Sequence, residues 1–409
     1  MALAAPRRPD LEGWKTPYRH TPFHPRTSEW NLNGSWVPWA GYLTAGTYED
    51  ETMEYFALRN QAGVYDISPM VKYRISGRDS AAYLDRLQLR SIAKLKAGRV
   101  MYTAWCDGDG MLIDDGTLFR LGETDFRLCC QERMLPWLLD SAIGFEVEIR
   151  DETEAVAGLT LQGPLSYAVL QRAGVRGVET LKPFALGIYR LDGREVMISR
   201  TGFSGDLGYE LWMAPEDALG VWDHLFEAGR LHGLRPYGNT ALNLARIEAG
   251  LIMAAADFVN AEHALRRDRP RSPYELGLGW MVDLGKGHFN GRRALAAEHA
   301  SGSSRYAFVG LDIEGNIPAT GSLVYYPTGI NRWDEAGHVT AAAWSPTLKR
   351  NIAMASLKRP YGISITEKLV VEIYVLRELV WQKLMVRARI VERPFLKLAR
   401  RTAMPPGLV

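Results

Sequence analysis

Cysteine is scarce: the 409 residues hold three, Cys106, Cys129 and Cys130. An odd count with one adjacent pair gives no disulfide framework, and there is no Cys-x-x-Cys, so reduced thiols and a cytoplasmic setting are expected. The eight histidines are scattered, with no His-Glu-x-x-His and no His/Cys cluster, so no metal centre is expected. No apolar run reaches the roughly 18 residues that would mark a membrane-spanning helix. The opening Met-Ala-Leu-Ala-Ala-Pro-Arg-Arg-Pro-Asp lacks the apolar core of a signal peptide. Excess charge is also missing. A formal net charge of +2, with both signs interspersed, gives no case for nucleic acid or an anionic membrane as partner. No Gly-x-Gly-x-x-Gly follows a strand, which excludes a dinucleotide fingerprint, and no repeat with a fixed period is present.

What is present reads as a globular protein of more than one domain: the chain is too long for one compact core, 47% hydrophobic and 23% charged. Residues 1–45 form an arm rich in Pro and Trp. Trp14, Trp30, Trp36 and Trp39 show no helical or strand period, so an extended arm packed on the body is expected. Helical patterning covers Glu49–Asn60, Ser80–Leu89, Glu132–Ser141, Leu219–Gly233 and Asn239–Ala254. Strands Arg99–Cys106 and Met111–Phe119 flank Asp107-Gly108-Asp109-Gly110, a hairpin signal. Sequential hairpins without β-α-β alternation predict an α+β fold. After the linker Ser301-Gly302-Ser303-Ser304, six short strands from Tyr306 to Ile390 predict a separate small β-barrel or sandwich. The expected divisions are an arm over 1–45, a two-lobed αβ core over 46–300, a barrel over 305–395 and a tail over 396–409.

One stretch stands out, Ser199-Arg200-Thr201-Gly202-Phe203-Ser204-Gly205-Asp206-Leu207-Gly208-Tyr209-Glu210-Leu211-Trp212. A strand ends at Ser199, three glycines make a turn in which φ > 0 is open to the backbone, and a second strand leaves at Tyr209. A carboxylate between Tyr209 and Leu211 is costly to bury unless something donates to it. On chemistry alone Glu210 either takes such donors or sits on a hairpin facing solvent or an arginine. A second constellation follows the Asp-Gly-Asp-Gly hairpin: Ile113-Asp114-Asp115. On chemistry alone a paired Asp there reads as a solvated strand edge or as an acid–base site.

The glycine-rich stretch resembles the central folate-site segment of the aminomethyltransferase family, which holds the glycine cleavage T-protein and tetrahydrofolate-dependent demethylases. Three further segments resemble the same family in the same order: Asp107–Asp115; Arg246-Ile247-Glu248-Ala249-Gly250 with Tyr274-Glu275-Leu276-Gly277-Leu278-Gly279-Trp280; and Ser345-Pro346-Thr347-Leu348. The resemblance covers about residues 50–395. It implies a two-lobed folate-binding core with antiparallel sheets and a C-terminal barrel, with tetrahydrofolate as the one-carbon acceptor. It implies that Glu210 anchors the pterin ring, accepting N–H bonds from the 2-amino and N3 edge. It implies folate contacts from Met70, Tyr102, Arg200, Phe203, Tyr209 and Arg246, with Asp115 and Tyr102 as catalytic residues. The aromatics Trp36, Trp39, Tyr274 and Trp280 are expected to wall the donor site.

Departures shift the expected reaction. Phe203 replaces a tyrosine of the family, and Leu242 an arginine. The expected activity is therefore transfer of a methyl group from a small O-, N- or S-methyl donor to tetrahydrofolate. The alternative is aminomethyl transfer from a lipoyl carrier protein, as in glycine cleavage. A non-catalytic folate-binding relative ranks lower, because Lys286-Gly287-His288-Phe289-Asn290-Gly291 lacks the cysteine of that group's motif. A flavin oxidase ranks lower too, since no flavin domain is present.

Overall fold

The computed structural model describes residues 17–266, 268–330, 332–363 and 368–405; Trp14 of the arm lies outside them. Where an extended arm is expected, the described part folds. Helix α1 (His24–Trp30) has a proline in its first turn, where a missing N–H costs nothing. Strands β1 (Ser35–Trp39) and β2 (Tyr42–Thr47) pair as a hairpin. Its turn is Ala40-Gly41, both at positive φ. Alanine at the first of these positions hides the turn, because Asn or Asp is the usual signal there.

The body follows as α2 (Glu51–Asn60), β3 (Gly63–Asp66), β4 (Val71–Ser76), α3 (Ser80–Leu87), β5 (Arg99–Cys106), β6 (Leu112–Arg120), β7 (Asp125–Cys130), α4 (Leu135–Ser141), β8 (Glu148–Asp151) and β9 (Ala157–Gln162). It continues through α5 (Ser166–Arg172), β10 (Leu186–Leu191), β11 (Arg194–Ser199), β12 (Gly208–Met213), α6 (Ala218–Gly229), β13 (Arg235–Pro236), α7 (Asn239–Glu248) and α8 (Arg292–Ser301). Asp50 starts α2 by accepting from the Met53 amide at 2.8 Å, as an N-cap should. Helix α7 stops short of the expected Ala254. Gly250 turns to φ +65, and the Arg246 carbonyl accepts from Leu251 N at 2.9 Å, which closes the helix end.

Two sheets result. One has the order β10-β11-β12-β9-β3-β13, the other β5-β6-β7-β4-β8. A single buried cluster draws Tyr65 and Ile67, Val100, Phe119 and Cys129, and Met197 and Trp212 from strands and turns of both sheets. It joins the two lobes, and the candidate site lies beside it. Strands β14 (Tyr306–Ile313), β15 (Leu323–Gly329), β16 (Arg332–Ser345), β17 (Arg350–Lys358), β18 (Leu369–Arg377) and β19 (Val380–Val391) close a barrel of order β14-β17-β16-β15-β18-β19. The chain is α+β, with antiparallel sheets and a closed C-terminal barrel.

Body, barrel and tail meet on buried charges. Glu248, at the end of α7, accepts from Tyr55 at 2.6 Å, from Arg59 Nε at 2.9 Å and from Ser345 of β16 at 2.5 Å. Arg59 also donates to the Ser204 carbonyl at 2.9 Å and to Asp206 at 3.3 Å. Arg400 of the tail forks onto Asp206 at 2.6 and 2.8 Å. Removing one partner of such a set strands a buried charge and costs about 3–5 kcal/mol. Arg59→Met should therefore lower stability by about that amount in chemical denaturation. The double variant Arg59→Met/Glu248→Leu should cost clearly less than the sum of its parts; additive losses would show that the pair is not coupled.

Candidate active site

The glycine turn is built around Gln162. Its Nε2 donates to Thr160 at 2.7 Å and to the Thr201 carbonyl at 3.3 Å, and its Oε1 accepts from Ser204 at 2.6 Å. A Cβ on Gly202 or Gly208 would come within 2.2 Å of that carboxamide. Of the three glycines only Gly205 takes positive φ, at +72; the other two are required by close approach, which corrects the expectation from sequence.

Glu210 then emerges on β12 as a buried carboxylate. Oε2 accepts from Thr201 Oγ1 at 2.6 Å and from Ser199 Oγ at 3.5 Å. Among the described residues Oε1 has no hydrogen bond, and no cation pairs with either oxygen. Burial pushes the Glu210 pKa up to about 7 against the two hydroxyl bonds. A partly satisfied, buried acceptor of this kind fits a ligand that presents N–H groups.

On the facing sheet, Tyr102 of β5 donates its hydroxyl to Asp115 Oδ2 of β6 at 2.7 Å. Burial pushes Asp115 up to about 6 despite that bond. The adjacent Asp114 points into a different environment: its carboxylate accepts from three backbone amides, Asp115 at 2.8 Å, Gln131 at 3.2 Å and Glu132 at 3.1 Å. Burial and the neighbouring Asp115 raise its pKa, while the amides pull it down. Asp114 thus braces the loop after β7, and Asp115 is the member of the pair that meets a titratable side chain.

The remaining expected residues separate. Trp280, 64% exposed, lies with its ring 6.4 Å from that of Tyr102 and 5.3 Å from the Arg90 guanidinium. Tyr102 and Trp280 line one cavity of about 1010 Å³. Trp39 stacks on Tyr65 at 6.2 Å, and it packs with Met70 against the cluster that joins the two sheets. Trp36 instead meets His24 in a tilted pair with ring centroids 4.9 Å apart, and Tyr274 stacks on His299 at 5.5 Å. Phe203 is half-buried in the turn.

Three residues that the resemblance assigned to folate are occupied in the fold. Tyr209 is buried in the core on the opposite face of β12 from Glu210, as strand alternation requires. Arg200 gives its guanidinium to the Leu181 carbonyl at 3.1 Å and to the Ala403 carbonyl. Arg246 is fully buried, paired with Asp257 and bonded to Asn243 at 2.9 Å. A residue that sequence reasoning missed is Lys72, fully buried on β4. Its Nζ donates to the carbonyls of Ser68 at 2.8 Å and Met70 at 2.7 Å. Alternation with Val71 and Tyr73 reads as solvent-facing, but the second sheet covers that face.

The comparisons bear on this arrangement. Residues 23–286 match the family model of the GCVT N-terminal domain, and residues 307–397 that of the glycine cleavage T-protein C-terminal barrel domain. The aminomethyltransferase of Halothermothrix orenii is 34% identical over 343 residues, 82% of this chain and 92% of that protein. That of Bacillus subtilis is 31% identical over 371 residues, 89% of this chain and 96% of that protein. The trimethylamine-oxide aldolase of Ruegeria pomeroyi is 35% identical over 376 residues, 87% of this chain but 44% of that protein. The crystal structure of the glycine cleavage system aminomethyltransferase T from Bartonella henselae superposes with a TM-score of 0.79 at 23% identity, covering 93% of this chain and 98% of that one, a likeness of fold.

The raised pKa of Glu210 carries a stability consequence. The folded state holds a proton on Glu210 between the ordinary value of 4.5 and about 7 that the unfolded chain has lost, so stability falls as pH rises through that window. Glu210→Gln should raise Tm near pH 8 by roughly 2–4 °C and leave it little changed near pH 4; a lower Tm at both pH values would contradict the burial argument.

With both halves of the chain matched and relatives above 30% identity along most of its length, the chain is a transferase of the aminomethyltransferase family.

Proposed function

We propose that this enzyme transfers a one-carbon unit carried on nitrogen to tetrahydrofolate, as an aminomethyltransferase. The observation that carries the reading is the Tyr102–Asp115 pair beside the cavity: a carboxyl raised to about 6, bonded to a phenol at 2.7 Å. Breaking a carbon–nitrogen bond requires a proton on the leaving amine, and an acid poised near neutrality supplies it. The relatives' names support the same class, since both aminomethyl and trimethylamine-oxide carry the carbon on nitrogen. They reverse the order expected from sequence, which set methyl transfer first.

Tetrahydrofolate, when bound, supplies the nucleophilic nitrogen that receives the one-carbon unit. The residues present fit it: one oxygen of the Glu210 carboxylate has no donor among the described residues, Met70 and Trp39 pack against the cluster that joins the sheets, and Tyr102 with Asp115 holds a proton at the cavity. In an aminomethyl reaction a lipoyl carrier protein is the partner that brings the donor. One observation favours methyl transfer as the second reading: Phe203 and Leu242 stand where the family has tyrosine and arginine, and Trp280 gives the cavity an exposed aromatic wall.

The oxidation level of the product separates the two. With tetrahydrofolate and a lipoyl carrier loaded with aminomethyl on sulfur, the first reading expects methylenetetrahydrofolate, ammonia and the carrier released as its free dihydrolipoyl dithiol. Formation of 5-methyltetrahydrofolate from O-, N- or S-methyl donors, without turnover of the carrier, would establish the second. Asp115→Asn should lower kcat by about 10²–10⁴-fold while tetrahydrofolate still binds. Asp114→Asn should chiefly lower stability, because one of the two accepting oxygens becomes an NH2 that faces backbone amides and cannot accept from them. An unchanged kcat for Asp115→Asn would remove the acid role.

A further inference from the structure

One hairpin of the barrel is longer than the barrel itself. Strand β18 pairs with β15 only through Val370, Val371 and Glu372, and β19 pairs with β14 only from Ala388 to Val391. Beyond those limits residues 373–377 and 380–387 pair with each other alone, so a two-stranded ribbon overhangs the barrel. Its two faces differ. Ile373, Val375, Leu384 and Val386 pack on the barrel core. The other face carries the cross-strand pairs Leu376–Trp381, Tyr374–Lys383 and Glu372–Met385. There Tyr374, Leu376, Trp381 and Met385 are all exposed, Trp381 to 67%. Between them Lys383 bonds Glu372 at 3.0 Å, and the Tyr374 hydroxyl donates to the same carboxylate at 2.9 Å. A contiguous apolar face of this kind marks an interaction surface, and none of these residues lines the cavity described above.

The turn extends the patch. Glu378 and Leu379 both take positive φ, +50 and +63, as a two-residue turn of this hand requires, and Asn-Gly is the unstrained choice there. Leu379 is strained by that backbone and 91% exposed, so packing within the chain does not account for it.

The backbone edge is a second, independent observation. Arg377 and Val380 close the two-residue turn as a hydrogen-bonded pair, so even-numbered residues of β19 bond to β18 and odd-numbered ones point their N–H and C=O outward. Arg387 follows the rule, since its carbonyl accepts from Glu314 N at 3.0 Å. Trp381, Lys383 and Met385 have no strand on that side among the described residues. An open edge of this kind is completed by another strand.

We propose that the ribbon is a dimerisation surface, on which the β19 edge of one copy pairs antiparallel with the β19 edge of a second copy, centred on Gln382. The internal Glu372–Lys383 pair leaves the face without a central charge for an unlike partner to match, and a net charge of +2 opposes self-association little. The centre follows from side-chain chemistry. A pairing centred on Lys383 sets two ammonium groups opposite each other, which is unfavourable. Centred on Gln382, Trp381 of each copy lies opposite Lys383 of the other, a cation–π pairing. The same register sets Leu379 of each copy opposite Met385 of the other, which gives the strained tip residue an apolar neighbour.

Sedimentation of the full chain over a roughly 100-fold concentration range, up to about 200 µM, tests it. The wild type should pass from monomer to dimer. Trp381→Glu and Leu379→Gly should each raise the dimer dissociation constant by about tenfold or more, and Leu379→Gly should leave the fold intact because it relieves the turn. Gln382→Cys supplies a second readout. Residues that face each other in a non-hydrogen-bonded antiparallel pair lie about 4.5 Å apart at Cα, within disulfide range. Mild oxidation should therefore link two copies of this variant, whereas the three native cysteines are buried and the wild type should not cross-link. A wild type that stays monomeric throughout, a dimer that both surface variants leave unchanged, or a dimer of Gln382→Cys that forms no disulfide would overturn the proposal.

Discussion

Glu248 is the point on which the molecule turns. It ends α7 buried beneath the barrel, and it takes hydrogen bonds from a tyrosine and an arginine of α2 and from a serine of β16. The same arginine reaches Asp206 in the glycine turn, and Asp206 receives Arg400 from the tail. Desolvating this many charges is expensive, and the mutual pairing is what makes it tolerable. The consequence is geometric: the turn that leads into Glu210 cannot move without disturbing the barrel and the tail. Position is therefore imposed on the candidate site from three directions.

The site trades stability for readiness. Among the described residues Glu210 is buried with two hydroxyl donors and no cation, an arrangement that raises its pKa and weakens the free protein. Asp115 is raised as well, but through a different environment, against a phenol on the neighbouring strand. Two carboxylates with distinct surroundings suit distinct roles, one to accept hydrogen bonds from a ring and one to hold a transferable proton. The two sheets keep them on separate walls, since β6 and β12 belong to different sheets.

Much of the fold is legible from local pattern. The Asp107–Gly110 hairpin, the alternating strands of the barrel and the periodicity of α2 are set by residues close in sequence, and the structure has them. The Asp114–Asp115 doublet and Glu210 stand out because acids beside apolar strand residues need a reason. What escapes is decided at a distance. Tyr209 faces the core because β12 pairs between β9 and β11. Arg246 is committed to Asp257, eleven residues on, and Arg200 to a tail about two hundred residues away. Lys72 looks solvent-facing until the second sheet is laid over it.

The central claim is that the buried carboxylate of Glu210 anchors the pterin ring, and its pH dependence tests this most directly. Only the ionised form accepts two N–H bonds, and the group titrates at about 7. Affinity for tetrahydrofolate, measured by calorimetry, should rise roughly tenfold from pH 6 to pH 8 in the wild type. In Glu210→Gln it should be weaker and independent of pH over that range. Wild-type affinity that is flat with pH and equal to that of Glu210→Gln would contradict the account.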